Sequence, residues 1–213
     1  MQIDIWSDIV CPWCYVGKRR FEEALTRFEH EGAVTVRHHA FQLNPAAIPG
    51  ETTTRRASLK SRYNLTDARV DELDAQMAKT FSSVGLEFRL GDGLSGNTLA
   101  AHEVVAAGAE AGIQDAVIER LFRAYFTEGR SVFDPASLVT LGAEAGLDED
   151  ALREALVSGT YASAVQRDLA EARELGITGV PFFVLDGRFG VSGAQMPEVF
   201  DQALAQAWET RRT

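Results

Sequence analysis

Cysteine is nearly absent from this chain: its 213 residues contain two, Cys11 and Cys14. A framework of structural disulfides is therefore excluded, and a chain of this length can bury a core without one. Basic residues are also in short supply, with 21 Lys and Arg against 31 Asp and Glu, a formal charge of -10. Nucleic acid is not an expected partner, because a phosphate-binding surface needs clustered Lys and Arg. No run of about eighteen apolar residues occurs, which leaves no candidate membrane span. The segment from Met1 to Asp8 lacks a basic stretch and carries Asp4 and Asp8 where an export signal would be apolar, so the cytoplasm is the expected compartment. Nor is there a repeat of fixed period or a low-complexity tract.

Histidine is equally sparse. His30, His38, His39 and His102 offer no His-X3-His spacing, and a second Cys-X-X-Cys is missing, so a four-ligand zinc site is not expected. His38 and His39 adjoin in a β-rich stretch and point to opposite faces, which prevents them from acting as one ligand pair. What is present, 46% hydrophobic and 24% charged residues, is ordinary for a folded globular chain.

The patterning predicts a strand over residues 3 to 7 and a helix opening at the cysteines, with Phe21, Ala24, Leu25 and Phe28 as its buried stripe. Gly32 reads as the stop of that helix. Val34-Thr35-Val36, running on to Phe41, is a second strand closed by Leu43-Asn44-Pro45. From about residue 52 to 175 the periodicity is helical throughout. Asp134-Pro135 and Asp148 are N-caps, and Gly129 and Gly146 are stops. The β pattern returns in Phe182-Phe183-Val184-Leu185 and Arg188-Phe189-Gly190-Val191, joined by the hairpin signal Asp186-Gly187. A last helix runs from about Pro197 to Trp208. The expected fold is α/β, a βαβ…ββα unit with a large all-helical insertion: residues 1–48 and 176–213 form one domain, and residues 49–175 the inserted helical domain.

Cys11 follows a strand and opens a helix. Pro12 lacks an N–H and has a φ suited to the first helical position, which makes Cys11 the N-cap, its sulfur facing the free helix N–H groups. A thiolate there is stabilised by those donors and by the macrodipole, so Cys11 is the expected nucleophile. Cys14, one turn on, shares the helix face and is the expected resolving thiol. Trp13 would lie beside an exposed sulfur and offer contact area to a substrate.

With these elements in order, the chain resembles the DsbA-like oxidoreductases of the thioredoxin superfamily, in particular the cytoplasmic FrnE-like group. The resemblance rests on Ser7-Asp8-Ile9-Val10-Cys11-Pro12-Trp13-Cys14-Tyr15-Val16-Gly17-Lys18, on Phe41-Gln42-Leu43-Asn44-Pro45, on Asn97-Thr98 with His102, and on Gly176-Ile177-Thr178-Gly179-Val180-Pro181-Phe182-Phe183. It implies a thioredoxin fold and a cis-proline, Pro181, opposite the cysteines, with the Val180 backbone pairing with an extended substrate segment. Pro12, Trp13, Val180 and Pro181 are thus the expected substrate-binding residues, and Ser192-Gly193-Ala194-Gln195 resembles the family's closing turn. Asn97 and His102 are weaker candidates for the site. Many thioredoxin-like relatives bury a carboxylate six residues before the first cysteine. Ile5 stands there in this chain, and neither Asp4 nor Asp8 is assigned a catalytic role by the resemblance.

The expected function is thiol-disulfide exchange on proteins or small thiols, as in a protein disulfide oxidoreductase or isomerase. No cofactor is expected beyond the redox-active pair, with glutathione as an admissible redox partner and a homodimer as an admissible assembly. Two other readings are open. Glutathione-dependent transferases or isomerases of the kappa-class or 2-hydroxychromene-2-carboxylate isomerase type share the helical insert but typically carry serine at the first cysteine position. A non-catalytic peptide-binding or chaperone-like module would use the same groove without a reactive thiol.

Overall fold

The computed structural model describes residues 1–91 and 93–211. Its elements are β1 (Gln2–Ser7), α1 (Pro12–Arg27), β2 (Thr35–Ala40), β3 (Thr52–Thr54), α2 (Arg55–Tyr63), α3 (Asp67–Ser82), β4 (Leu94–Gly96), α4 (Leu99–Glu110), α5 (Gln114–Phe126), α6 (Pro135–Glu144), α7 (Glu149–Ser158), α8 (Ala162–Glu174), β5 (Phe182–Leu185), β6 (Phe189–Ser192) and α9 (Pro197–Thr210). The chain divides into two compact units, Met1–Leu43 with Arg167–Thr213, and Asn44–Gln166. The first division falls at Leu43 and the second ahead of residue 176, where the latter part of α8 belongs with the first unit.

In the first unit four strands lie in the order β2-β1-β5-β6. β1 and β2 are parallel, joined through α1, whereas β5 pairs antiparallel with both β1 and β6. This is the expected βαβ…ββα arrangement. The β5–β6 turn is the Asp186-Gly187 pair, with φ of 53° and 66°. Both central residues of such a tight hairpin need positive φ, which Gly accepts freely and Asp more readily than most.

Strand alternation gives the sheet two apolar faces. On one, Ile3 and Ile5 of β1, Phe183 and Leu185 of β5 and Val191 of β6 pack with Phe21 and Ala24 of α1 and with Phe200, Leu204 and Ala207 of α9. Phe183 is the centre of this layer, its ring 4.7 Å from that of Phe200 and 5.5 Å from that of Phe21. Burying one such side chain is worth about 1.5–3 kcal/mol. On the other face Trp6 packs with Ala172 of α8 and with Ile177, flanked by Phe41, Val180, Phe182 and Val184.

Two expectations need correction. α1 stops at Arg27, capped by Phe28, and Gly32 lies in a separate 3₁₀ turn, Glu31–Ala33. Phe28 leaves the helical path to set its ring against Trp208, centroids 5.7 Å apart. The inserted unit is not all-helical, since β3 and β4 pair antiparallel from Thr52 opposite Gly96 to Thr54 opposite Leu94. Gly108 lies inside α4, where a β-carbon would come within 2.8 Å of Val117 Cγ2, so its role is close packing on α5. The caps stand as expected: Asp134 and Asp148 side chains accept from Ser137 and Ala151 N–H, each at 2.8 Å. The inserted unit's core is rich in aromatic rings, with Phe81 packed on Phe88 and Phe126, and Tyr125 on Phe133.

Candidate active site

Cys11 is the N-cap of α1, in extended conformation (φ -88°, ψ 111°), with Pro12 in the first turn. A turn places it there: the Cys11 N–H donates to the Asp8 carbonyl at 3.0 Å, and the Cys14 N–H to the Cys11 carbonyl at 3.0 Å. Both cysteines are free thiols. The sulfur of Cys11 is not exposed as expected but buried, at 4% exposure, and it makes no capping hydrogen bond to the helix. The reason is local chemistry: the protonated thiol is a donor, and it turns 3.5 Å to the Val180 carbonyl.

Cys14 lies deeper, at 2% exposure. Burial pushes its thiol well above the ordinary cysteine range. A hydrogen bond donated to the Cys11 sulfur and the negative charge of Asp8 act in the same direction, against a hydrogen bond that the sulfur accepts from the Asp8 backbone N–H. The pair thus has two environments, one sulfur at the helix entrance and one held protonated beneath it.

Val180 and Pro181 are brought to this helix end from the other half of the unit, and their peptide bond is cis. The Pro181 carbonyl accepts from the Gly193 N–H at 2.8 Å. Arg20 of α1 donates to the Ala194 carbonyl at 2.6 Å, tying the closing turn back to the helix that carries the cysteines. Gly17 permits the approach, since a β-carbon there would lie 2.8 Å from Pro181 Cγ. Pro12 and Val180 are half-buried, Pro181 is buried, and Trp13 is 42% exposed.

Asn97 and His102 belong to the other unit, and both are buried. Asn97 has structural work there: its Oδ1 accepts from the N–H of Leu99, the first residue of α4, at 2.9 Å, and its Nδ2 donates to the Ala47 carbonyl at 2.6 Å. His102 sits in the first turns of α4, its N–H bonded to the Thr98 carbonyl at 3.0 Å.

Sequence reasoning missed a buried polar chain in the first unit. His39 bonds Asp168 through Nδ1 at 2.9 Å and Asp4 through Nε2 at 2.8 Å. A carboxylate on each ring nitrogen favours the doubly protonated ring, in which both nitrogens donate. Burial alone would lower its pKa, but the bonds to Asp168 and Asp4 outweigh burial and raise it. The Trp6 ring stacks on His39 with centroids 4.4 Å apart, and its Nε1 donates to the Asp168 carbonyl at 3.2 Å. His39, Asp168 and Glu171 have donor atoms within 4.8 Å of one another. A cation there would have to displace the proton that Nδ1 shares with Asp168, so the set reads as a salt-bridged staple. Asp168 lies 129 residues from His39, and no local pattern in the sequence announces it.

Comparison with known proteins agrees with this geometry. The family model described as DSBA-like thioredoxin domain matches residues 2–205. A crystal structure of a probable DsbA oxidoreductase from Streptomyces coelicolor is 41% identical, with a TM-score of 0.93, over 98% of this chain and 90% of that one. The cytosolic disulfide reductase DsbM from Pseudomonas aeruginosa, solved with GSH, shares the fold at 23% identity and a TM-score of 0.62, over 98% of this chain and 100% of that one. A 2-hydroxychromene-2-carboxylate isomerase shares it at 20% identity and a TM-score of 0.72, over 100% of this chain and 98% of that one. With the sheet order, the helix-capping cysteine and a family match over nearly its whole length, this chain belongs to the DSBA-like thioredoxin domain family.

Proposed function

We propose that this protein is a thiol-disulfide oxidoreductase in which Cys11 attacks and Cys14 resolves. The observation that carries the reading is the asymmetry of the two sulfurs. Cys11 stands at the entrance of α1 beside the Val180 carbonyl, and Cys14 is buried beneath it with its proton held. In the reducing direction the Cys11 sulfur displaces one sulfur of a substrate disulfide, which leaves as a thiol. Cys14 then attacks Cys11, the second substrate thiol departs, and the two electrons lost by the pair appear as two substrate thiols. The reverse sequence oxidises a dithiol. A protein chain laid along Val180 would place its sulfur within reach of Cys11, and Trp13 supplies exposed apolar area beside that path. Glutathione is the admissible small-thiol partner, and the cytoplasm the setting we infer from the scarcity of cysteine.

Insulin reduction driven by glutathione or dithiothreitol tests this. Activity should vanish in Cys11→Ser, and Cys14→Ser should accumulate a stable mixed disulfide at Cys11. Full activity in Cys11→Ser would overturn the assignment. The shared fold of the 2-hydroxychromene-2-carboxylate isomerase motivates a second reading, in which the site binds glutathione for conjugation or isomerisation. Glutathione conjugation that survives Cys14→Ser would favour it.

A further inference from the structure

The backbone edge at Val180 is where the proposed substrate chain would lie, and its own support is thin. Among the described residues Thr178, Gly179 and Val180 make no backbone-to-backbone hydrogen bond, and a β-carbon at Gly179 would meet nothing within 4 Å. What fixes the edge comes after it in the chain. The Pro181 carbonyl accepts the Gly193 N–H at 2.8 Å, and Gly193 takes the positive φ of 82° that the closing turn requires. Gln195 stiffens this turn from within, its N–H donating to the Gly193 carbonyl at 2.9 Å and its Nε2 to the Ser192 carbonyl at 2.8 Å. Neither bond attaches the turn to α1. Arg20 does: Nη1 donates to the Ala194 carbonyl at 2.6 Å, one helical turn beyond Gly17, which faces Pro181 and Ala194. Other arginines of the helix bond carboxylates, Arg19 to Glu22 and Arg27 to Glu23 and Asp201. Arg20 is half-buried, and among the described residues its hydrogen bond goes to that backbone carbonyl and to no acid. A charged donor on a carbonyl makes a stronger bond than a neutral one, which suits it to hold a loop.

We propose that Arg20 is a positioning residue for chain substrates: by clamping the closing turn to α1 it keeps the Val180 edge preformed beside Cys11. The role rests on the disulfide-exchange reading. The path of contacts runs from the guanidinium to the Ala194 carbonyl, then from the Gly193 N–H to the Pro181 carbonyl. It crosses the cis bond to Val180, whose carbonyl lies 3.5 Å from the Cys11 sulfur. Without the clamp the turn and the edge become ordered only as a substrate chain binds, and that ordering subtracts from affinity. A small disulfide that makes no use of the edge escapes the cost. Arg20 touches neither sulfur, so it acts on the binding of a chain and not on the exchange of bonds.

The test compares a peptide disulfide, whose chain can lie on the edge, with dithiobis(nitrobenzoate), which offers no chain. Arg20→Met keeps the apolar stem and removes the donors. In that variant KM for the peptide should rise about tenfold while kcat stays within about threefold of wild type, and exchange with the aromatic disulfide should change by less than about threefold. Arg20→Lys retains a charged donor and should recover most of the peptide KM. Arg27→Met breaks exposed ion pairs further along the same helix and should leave that KM unchanged, which separates the clamp from general helix stability. Arg20→Gln, too short to reach Ala194, replaces the methionine variant if that one folds poorly, with the same rise expected. An unchanged peptide KM would overturn the proposal, as would a lysine variant no better than methionine or an equal rise in Arg27→Met. So would matching losses with both substrates that track a fall in melting temperature. Wild-type protein that exchanges with neither substrate would instead refute the exchange reading itself.

Discussion

A β-carbon built at Gly17 would sit 2.8 Å from Pro181 Cγ and 3.4 Å from Ala194 Cβ, inside normal contact for the first and tight for the second. Neither neighbour is a flexible side chain that can swing aside, so the loop bearing Val180 would have to move away from Cys11. Gly17→Ala should therefore destabilise the fold by about 1–3 kcal/mol, the usual range for overpacking, and slow disulfide exchange beyond what the lost stability explains. Denaturant unfolding and insulin reduction, run side by side, check both parts. Trp13 is the opposite case. Being 42% exposed, it contributes little to the core, and Trp13→Ala should change stability by less than about 0.5 kcal/mol. The same variant should raise KM for a protein substrate while leaving the reaction with a small disulfide near wild type. A loss of both activities together would show that the ring holds the cysteines instead of the substrate.

Three elements meet at His39: β2 carries it, and the flanking carboxylates come from β1 and α8. Asp168 is the more heavily engaged acid, since its Oδ2 also accepts the Ala40 N–H at 3.0 Å. Asp168→Asn leaves a buried ring with one carboxylate and should cost about 1–3 kcal/mol. The pH dependence has a definite sign. Because the folded pKa of His39 lies above its ordinary 6.5, the staple contributes fully below pH 6.5, and its contribution is lost as pH rises through the raised value. Asp4 is lowered: burial pushes it up, but the bonds from His39 and Gln2 prevail. Its share is present above the ordinary carboxylate value of 3.8 and fades as pH falls through the lowered one. Melting curves should thus fall from mildly acidic towards alkaline pH, and His39→Gln should flatten that slope. An unchanged slope in His39→Gln would mean the staple is not the titrating element. At this scale the sequence revealed elements with local punctuation, such as the Asp134-Pro135 and Asp148 starts. It missed β3 and β4, whose three-residue strands lie some forty residues apart and carry no alternating pattern.

Across the whole chain the charge is -10, an excess of 31 acids over 21 bases. A field of that sign speeds the approach of cationic partners and slows anionic ones, and salt removes the difference. Exchange with a disulfide peptide bearing three lysines should be about tenfold faster than with its three-glutamate counterpart at low ionic strength, and the two rates should converge in about 0.5 M salt. Equal rates at low salt would mean that the surface around Cys11 does not follow the net charge. Among the described residues no helix is long and apolar enough to cross a membrane.

The local chemistry of the site was legible without coordinates. Pro12 has the φ of a first helical residue and makes Cys11 the N-cap, Cys14 follows one turn later, and Asp186-Gly187 turns the hairpin back. These depend on dihedral preferences that act over a few residues, so any short window carries them. Tertiary structure decided the rest. The carbonyl that receives the Cys11 thiol belongs to Val180, 169 residues away. The high pKa of Cys14 comes from burial, and burial is produced by everything packed above a residue. Asp8 was visible beside the motif as one more acid, and only folding turned it 1% exposed and bonded it to both cysteines. Desolvation and long-range contact are properties of the packed molecule, which is why the two cysteines and the order of their expected roles could be read in the sequence but the unequal burial of their sulfurs rests on the fold.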